Sequence, residues 1–148
     1  IQNTPQATGV SSNAYYLYNH ETGFNDDTEP MDNVFIQSAD FDIGDGDSLA
    51  FVKRILPDIQ FVNALGTSPN GAVNIVLKNR DFMGESLTTD STSKITSTTN
   101  KADVRARGRQ FVLRFESDDD NDTQDRKDYK WRLGNTRLDI QPSGRRGS

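Results

Sequence analysis

Apolar residues recur at every second position in a series of short runs bounded by Gly, Asn, Asp, Ser and Pro. In AVNIVLKN (72–79), Val73, Ile75 and Leu77 share one parity. In RQFVLRFES (109–117), Phe111, Leu113 and Phe115 do the same. YKWRL (129–133) sets Tyr129, Trp131 and Leu133 on one side and Lys130 and Arg132 on the other. VFIQSADFDI (34–43) places Phe35, Gln37, Ala39 and Phe41 on one parity. AYYLYN (14–19), SLAFVKRIL (48–56) and TRLDI (136–140) complete the set. Period-2 alternation marks half-buried strands, and no stretch keeps the i, i+3, i+4 spacing of a helix over three turns. The pattern predicts an all-β fold of short antiparallel strands and hairpins. Its core is expected to hold Val73, Ile75, Leu77, Phe111, Leu113, Phe115 and Trp131.

The turn signals refine this. GDGD (44–47) reads as a tight turn. Gly134–Asn135 in LGNT (133–136) tolerates positive φ, which predicts a two-residue hairpin pairing 129–133 with 136–140. SDDDNDTQDRKD (117–128) has no apolar residue and reads as an extended, mobile acidic loop between two strands. STSKITSTTNK (91–101) is polar and β-branched, consistent with either an exposed strand or a long connection.

One stretch breaks the rule. In KADVRARGRQFVLRFES (101–117), Arg105, Arg107 and Arg109 share parity with Phe111, Leu113 and Phe115. Three unpaired guanidinium groups in a core would cost far too much. Either a β-bulge at Gly108 turns the arginines outward, or residues 104–109 run past the core against acidic partners. Both readings make the segment a junction. They mark Arg105, Arg107, Arg109 and Arg114 as subunit or intramolecular ion-pair contacts.

Charge sharpens that expectation. Residues 1–100 carry 5 basic and 13 acidic side chains (−8), residues 101–148 carry 12 and 9 (+3), and the chain is −5. Two ends of opposite sign suit contacts with different partners, such as neighbouring subunits. Only 32% of residues are hydrophobic, but they cluster as in a β protein. The 148 residues begin with Ile1, as a fragment or processed product would, and make a single β-rich domain or the C-terminal portion of a larger chain.

Candidate chemistry is sparse. There is no Cys, so disulfides, Cys-based zinc sites and thiol nucleophiles are excluded. His20 is the one histidine, and HETG (20–23) lacks the second His of a zinc-protease helix. No G-x-S-x-G elbow is present. DFDIGDGDS (40–48) fails the calcium-loop pattern, because Gly44 and Asp45 stand where positions 5 and 6 need an oxygen ligand and Gly. Asp40 and Asp42 are a carboxylate pair with nothing in the sequence to place them in a cleft. The run Asp118–Asp120 with Asp122 is expected to be solvated rather than cation-binding. Asn121-Asp122-Thr123 matches a glycosylation sequon, a pattern frequent by chance. Basic and aromatic residues interleave only in YKWR (129–132), against sequence-specific nucleic-acid binding. No stretch approaches the roughly 18 apolar residues of a membrane helix. No enzyme activity, cofactor, metal or membrane partner is expected.

The order of segments nonetheless resembles a known family. YNHETG, VFIQSADFDIGDGDSLAFVKRILPDIQF, VNIVLKNRDFMGE, KADVRARGRQFVLRFES and WRLGNTRLDIQPSGRR are similar to the C-terminal part of tail tubular, nozzle or stabilization-type virion structural proteins of short-tailed phages. The likeness spans most of residues 15–146. It is most specific in RLGNTRLDIQPSGRR, in R-x-R-G-R-Q and at Pro57–Asp58. The resemblance implies a β-rich, propeller- or sandwich-like tail protein in a homo-oligomeric ring, commonly a hexamer. Such rings sit beside tail and adaptor proteins, form the genome-exit channel and let DNA pass without reading its sequence. The implied location is the virion tail, assembled in the bacterial host cytoplasm. The alternative is a carbohydrate- or receptor-binding β-module of a phage tail, which would display Tyr15, Tyr16, Tyr18 or Trp131 as an aromatic platform. A second alternative, a polysaccharide-degrading enzyme, would require a close carboxylate pair in a cleft.

Overall fold

The structure, a computed structural model, describes residues 6–7, 16–17, 25–26, 29–31, 34–43, 48–63, 71–118 and 129–145. Most of them lie in strands, with no helix among the described residues. Two short pairs come first: β1 (Gln6–Ala7) with β2 (Tyr16–Leu17), and β3 (Asn25–Asp26) with β4 (Glu29–Pro30). A five-stranded sheet follows. It has the order β10 (Thr88–Thr96), β9 (Ala72–Arg80), β12 (Gln110–Ser117), β5 (Phe35–Gln37), with β6 (Phe41–Asp42) also on β12. A three-stranded sheet has β7 (Ser48–Leu56) between β11 (Ala102–Gly108) and β14 (Arg137–Arg145). β8 (Ile59–Asn63) pairs with β13 (Tyr129–Leu133). All of these pairings are antiparallel.

The two larger sheets bury their facing sides in one core. Val73, Ile75, Leu77, Ile95, Phe111, Leu113 and Phe115 come from the five-stranded sheet, and Ala50, Val52, Ile55, Ala102, Val104 and Ala106 from the other. Large side chains on β9 and β12 thus share a core with the small ones of β11, the volume complementarity that close packing requires. Trp131, with Phe61 and Leu133, is half-buried against this cluster. The segment 91–101 is resolved as a strand ending at Thr96, where a turn closes through Thr99 N–H to Thr96 O at 3.0 Å.

The expected hairpin at LGNT does not form. β13 pairs with β8 and β14 with β7, so 129–133 and 136–140 are consecutive parts of one long ribbon. Register runs from Leu133↔Ile59 to Arg137↔Leu56, so Gly134–Thr136 face Pro57–Asp58. The extra residue bends the ribbon, and Pro57 has no N–H to continue the ladder. Gly134 N–H closes the corner onto Asp58 O at 2.7 Å. Positive φ occurs at Gly84 and Gly144, not at Gly134. A Cβ at Gly134 would instead lie 2.7 Å from Asp58 Cγ, so the exposed Asp58 side chain would have to turn aside.

Three parity breaks explain where simple alternation misleads. On the edge of the five-stranded sheet, Ser38–Asp40 occupy the space opposite Val112 and Leu113. Phe35 therefore lies outward beneath Arg114, whereas Phe41 packs on Phe111 with ring centroids 5.9 Å apart. Ser38 bridges the break: its N–H donates to Leu113 O at 2.9 Å and its Oγ accepts Leu113 N–H at 3.0 Å. In β7, Lys53 is the additional residue between Arg54 and Val52, opposite the adjacent Asp139 and Ile140. Inward parity moves there from Ala50 and Val52 to Ile55. The third break is at Arg109, where the chain leaves one sheet for the other. The arginine puzzle resolves as a corner between sheets at Arg109, neither a bulge at Gly108 nor a run past the core, since Val104 and Ala106 are core residues and turn Arg105 and Arg107 outward.

GDGD, most of the acidic loop (119–128), His20, Tyr15, Tyr18 and the sequon lie outside the described residues.

Candidate functional site

Strand β11 alternates strictly. Ala102, Val104, Ala106 and Gly108 are buried, while Asp103, Arg105 and Arg107 are exposed. Pairing with β7 and β14 turns this outward side into two cross-strand rows. One row runs Asp103, Arg54, Asp139; the other runs Arg107, Phe51, Gln141. The Lys53 bulge makes the first row possible, because without it Arg54 would point inward with Ala50 and Val52.

Arg54 Nε donates to Asp103 Oδ1 at 2.9 Å. That hydrogen bond is the main reason the Asp103 carboxyl titrates below its ordinary 3.8; the charges of Lys101, Arg54 and Lys53 add to it. Lys101 Nζ lies 3.9 Å from Asp103 Oδ2. Arg107 Nη2 reaches across β7 to donate to Ser143 O at 3.2 Å. Arg105 is exposed beside it, and Arg137 is exposed opposite Leu56. Lys53, Arg54, Lys101, Arg105, Arg107 and Arg137 thus gather around two carboxylates, Asp103 and Asp139, on a chain that is acidic overall.

The four arginines singled out by sequence separate in space. Arg105 and Arg107 share this face and have no carboxylate partner among the described residues. Arg109 is half-buried at the corner, its N–H on Arg80 O at 3.3 Å. Arg114 lies on the outer side of the five-stranded sheet, where its Nε meets Glu116 Oε2 at 2.6 Å and its guanidinium covers the Phe35 ring at 3.8 Å. Most of that sheet's charged side chains are paired within it. Arg80 pairs with Asp40 and bonds Gln110 Oε1 at 2.9 Å, and Lys94 pairs with Asp118, which also accepts from Asn74 at 2.9 Å. The contrast selects the three-stranded sheet as the surface with binding capacity to spare. Guanidinium forks with no carboxylate partner among the described residues, such as those of Arg105 and Arg107, are suited to carboxylate or phosphate partners.

Period 2 placed Arg105 and Arg107 together. Arg54, Lys53, Phe51, Lys101, Arg137, Asp103 and Asp139 were missed, and the one local signal was the adjacent Lys53–Arg54 inside an apolar run. Trp131 is no exposed platform: it is half-buried and its Nε1 donates to Ser117 Oγ at 3.0 Å. Asp40 is engaged by Arg80. Among the described residues no group of three or more His, Asp or Glu is placed to hold a metal, and no helix is long and apolar enough to cross a membrane. No protein-family model matches the chain, and no curated protein matches it.

Proposed function

We propose that this chain is a non-catalytic structural component of a phage virion tail. It would sit in a nozzle or tail-tube ring that helps form the genome-exit channel and hold DNA in the particle. The single observation behind the reading is the cationic outer face of the three-stranded sheet, carried by a chain with net charge −5. Ring subunits meet through unlike surfaces, one face of each copy against a different face of the next. A stiff basic sheet on an otherwise acidic body supplies such a pair. The segments that resemble the tail-protein family contribute the strands from β5 to β9 and from β11 to β14, including the R-x-R-G-R-Q corner and the bent ribbon at Pro57–Asp58 and Gly134. The partners in this reading are further copies of the chain, a hexamer by resemblance, and adjacent tail or adaptor proteins, with DNA passing unread.

The test is the mass of the intact chain by analytical ultracentrifugation at physiological salt, followed by negative-stain imaging. A closed ring-sized assembly is the expected result. A monomer at all concentrations up to about 100 μM, well above the range in which stable assemblies form, removes the reading.

A further inference from the structure

The turn between β9 and β10 exposes two large apolar side chains, Phe82 at 50% and Met83 at 85%. The turn is built to hold them out. Glu85 Oε2 accepts the N–H groups of Asp81 and Phe82, each at 3.3 Å, and Glu85 N–H donates to Phe82 O at 3.2 Å. Gly84 takes φ +88°, a conformation that side-chain-bearing residues rarely adopt. Arg80 anchors the base through Asp40 and Gln110. A stiff, apolar tip has little conformational entropy to lose on docking, and exposed apolar groups on such a tip are suited to a partner surface.

Asp81 and Glu85 flank the tip with negative charge. The cationic sheet face has the opposite sign and an apolar floor in Phe51 and Leu56, the latter 41% exposed. We propose that the Phe82–Met83 tip of one copy docks on the outer face of the three-stranded sheet of the next, beside Arg105 and Arg107. The contact is head-to-tail, because tip and face are different surfaces, and so it propagates from copy to copy as a ring requires. It rests on the ring reading above and names its two contact surfaces. The tip is too small to be a whole interface, which for stable complexes buries on the order of 1,200–2,000 Å². It is the central anchor within one, the role in which a few buried apolar groups dominate.

Complementation of intact chains tests this. A tip variant, Phe82→Asp/Met83→Asp, and a face variant, Arg105→Glu/Arg107→Glu, are each expected to remain monomeric with wild-type circular dichroism. Either change weakens self-association on the order of tenfold or more. Mixed one to one, they keep one intact tip and one intact face, so a species of twice the 16.5 kDa chain mass is expected. Adding Asp81→Lys to the face variant restores assembly, at least in part, by reversing the partner charge. Wild-type assembly that both variants leave unchanged overturns the contact but not the ring. A mixture that stays monomeric also overturns it, and a monomeric wild type overturns both readings. Binding of the wild type to phosphatidylcholine vesicles, lost in the tip variant while its mass is unchanged, assigns the tip to lipid and overturns the proposal.

Discussion

Gly108→Ala tests how the two sheets are locked together at the arginine corner. Gly108 is buried, and an added Cβ would lie 3.0 Å from Asn79 Cβ, 3.1 Å from Nδ2 and 3.3 Å from Cγ. Two carbons are at ease near 3.5–4.0 Å, so something must yield. Asn79 has nowhere to go. It is 8% exposed, and its Nδ2 donates to Asp90 Oδ2 at 2.6 Å and to Arg107 O at 2.7 Å. Its Oδ1 accepts from Thr88 Oγ1 at 2.8 Å. This amide ties β9, β10 and β11 together. Overpacking costs about 1–3 kcal/mol, and each stretched buried hydrogen bond about 1 kcal/mol. The expected loss is about 2 kcal/mol.

Gly134→Ala is the control, because its nearest contact is closer still. A Cβ there would overlap the Asp58 carboxylate. Asp58 is exposed, so its side chain can rotate away while its carbonyl keeps the bond to Gly134 N–H. The expected loss is under about 1 kcal/mol, within the range of ordinary surface changes. The gain of about 0.4–1 kcal/mol from restricting the unfolded chain applies to both variants and does not alter their order. Urea unfolding followed by the fluorescence of Trp131, the one tryptophan, measures both. With a slope of about 1–3 kcal/mol per molar urea, the Gly108→Ala midpoint should fall by about 1 M. A Gly108→Ala cost below about 0.5 kcal/mol, or a greater cost at Gly134, would refute the lock.

Two further expectations follow from the sheets. Arg54→Ala should raise the Asp103 titration midpoint toward the ordinary 3.8, read by carboxyl NMR, with the charges of Lys101 and Lys53 still holding it down. In the wild type the folded midpoint lies below the unfolded one, so the pair's small stabilisation is complete above the unfolded value and is lost as pH falls through the folded one; because Asp103 is exposed, the wild-type and Arg54→Ala stabilities at neutral pH should be nearly equal. Ser38→Ala removes the acceptor of Leu113 N–H at the edge break, and should cost about 1 kcal/mol and speed hydrogen exchange at the Leu113 amide; unchanged exchange would show that the bridge has no such role.

The chain's local pattern determined that it is a β protein and which side chains are apolar enough to make its core. Val73, Ile75, Leu77, Phe111, Leu113 and Phe115 share faces because side chains in a strand alternate, and that rule acts over neighbouring residues. The same rule placed Arg105 and Arg107 side by side. It could not carry across Ser38–Asp40, Lys53 or Arg109, where one extra residue or a change of sheet reverses inside and outside. Nor could it choose partners. LGNT has the composition of a hairpin turn, but the turn is overridden by Asp58, seventy-six positions before Gly134 in the chain. The row of Asp103, Arg54 and Asp139 likewise exists only where three distant strands meet. Periodicity is a property of adjacent residues. Strand pairing, and with it the cationic face, is a property of contacts between distant ones, and only the tertiary structure decides them.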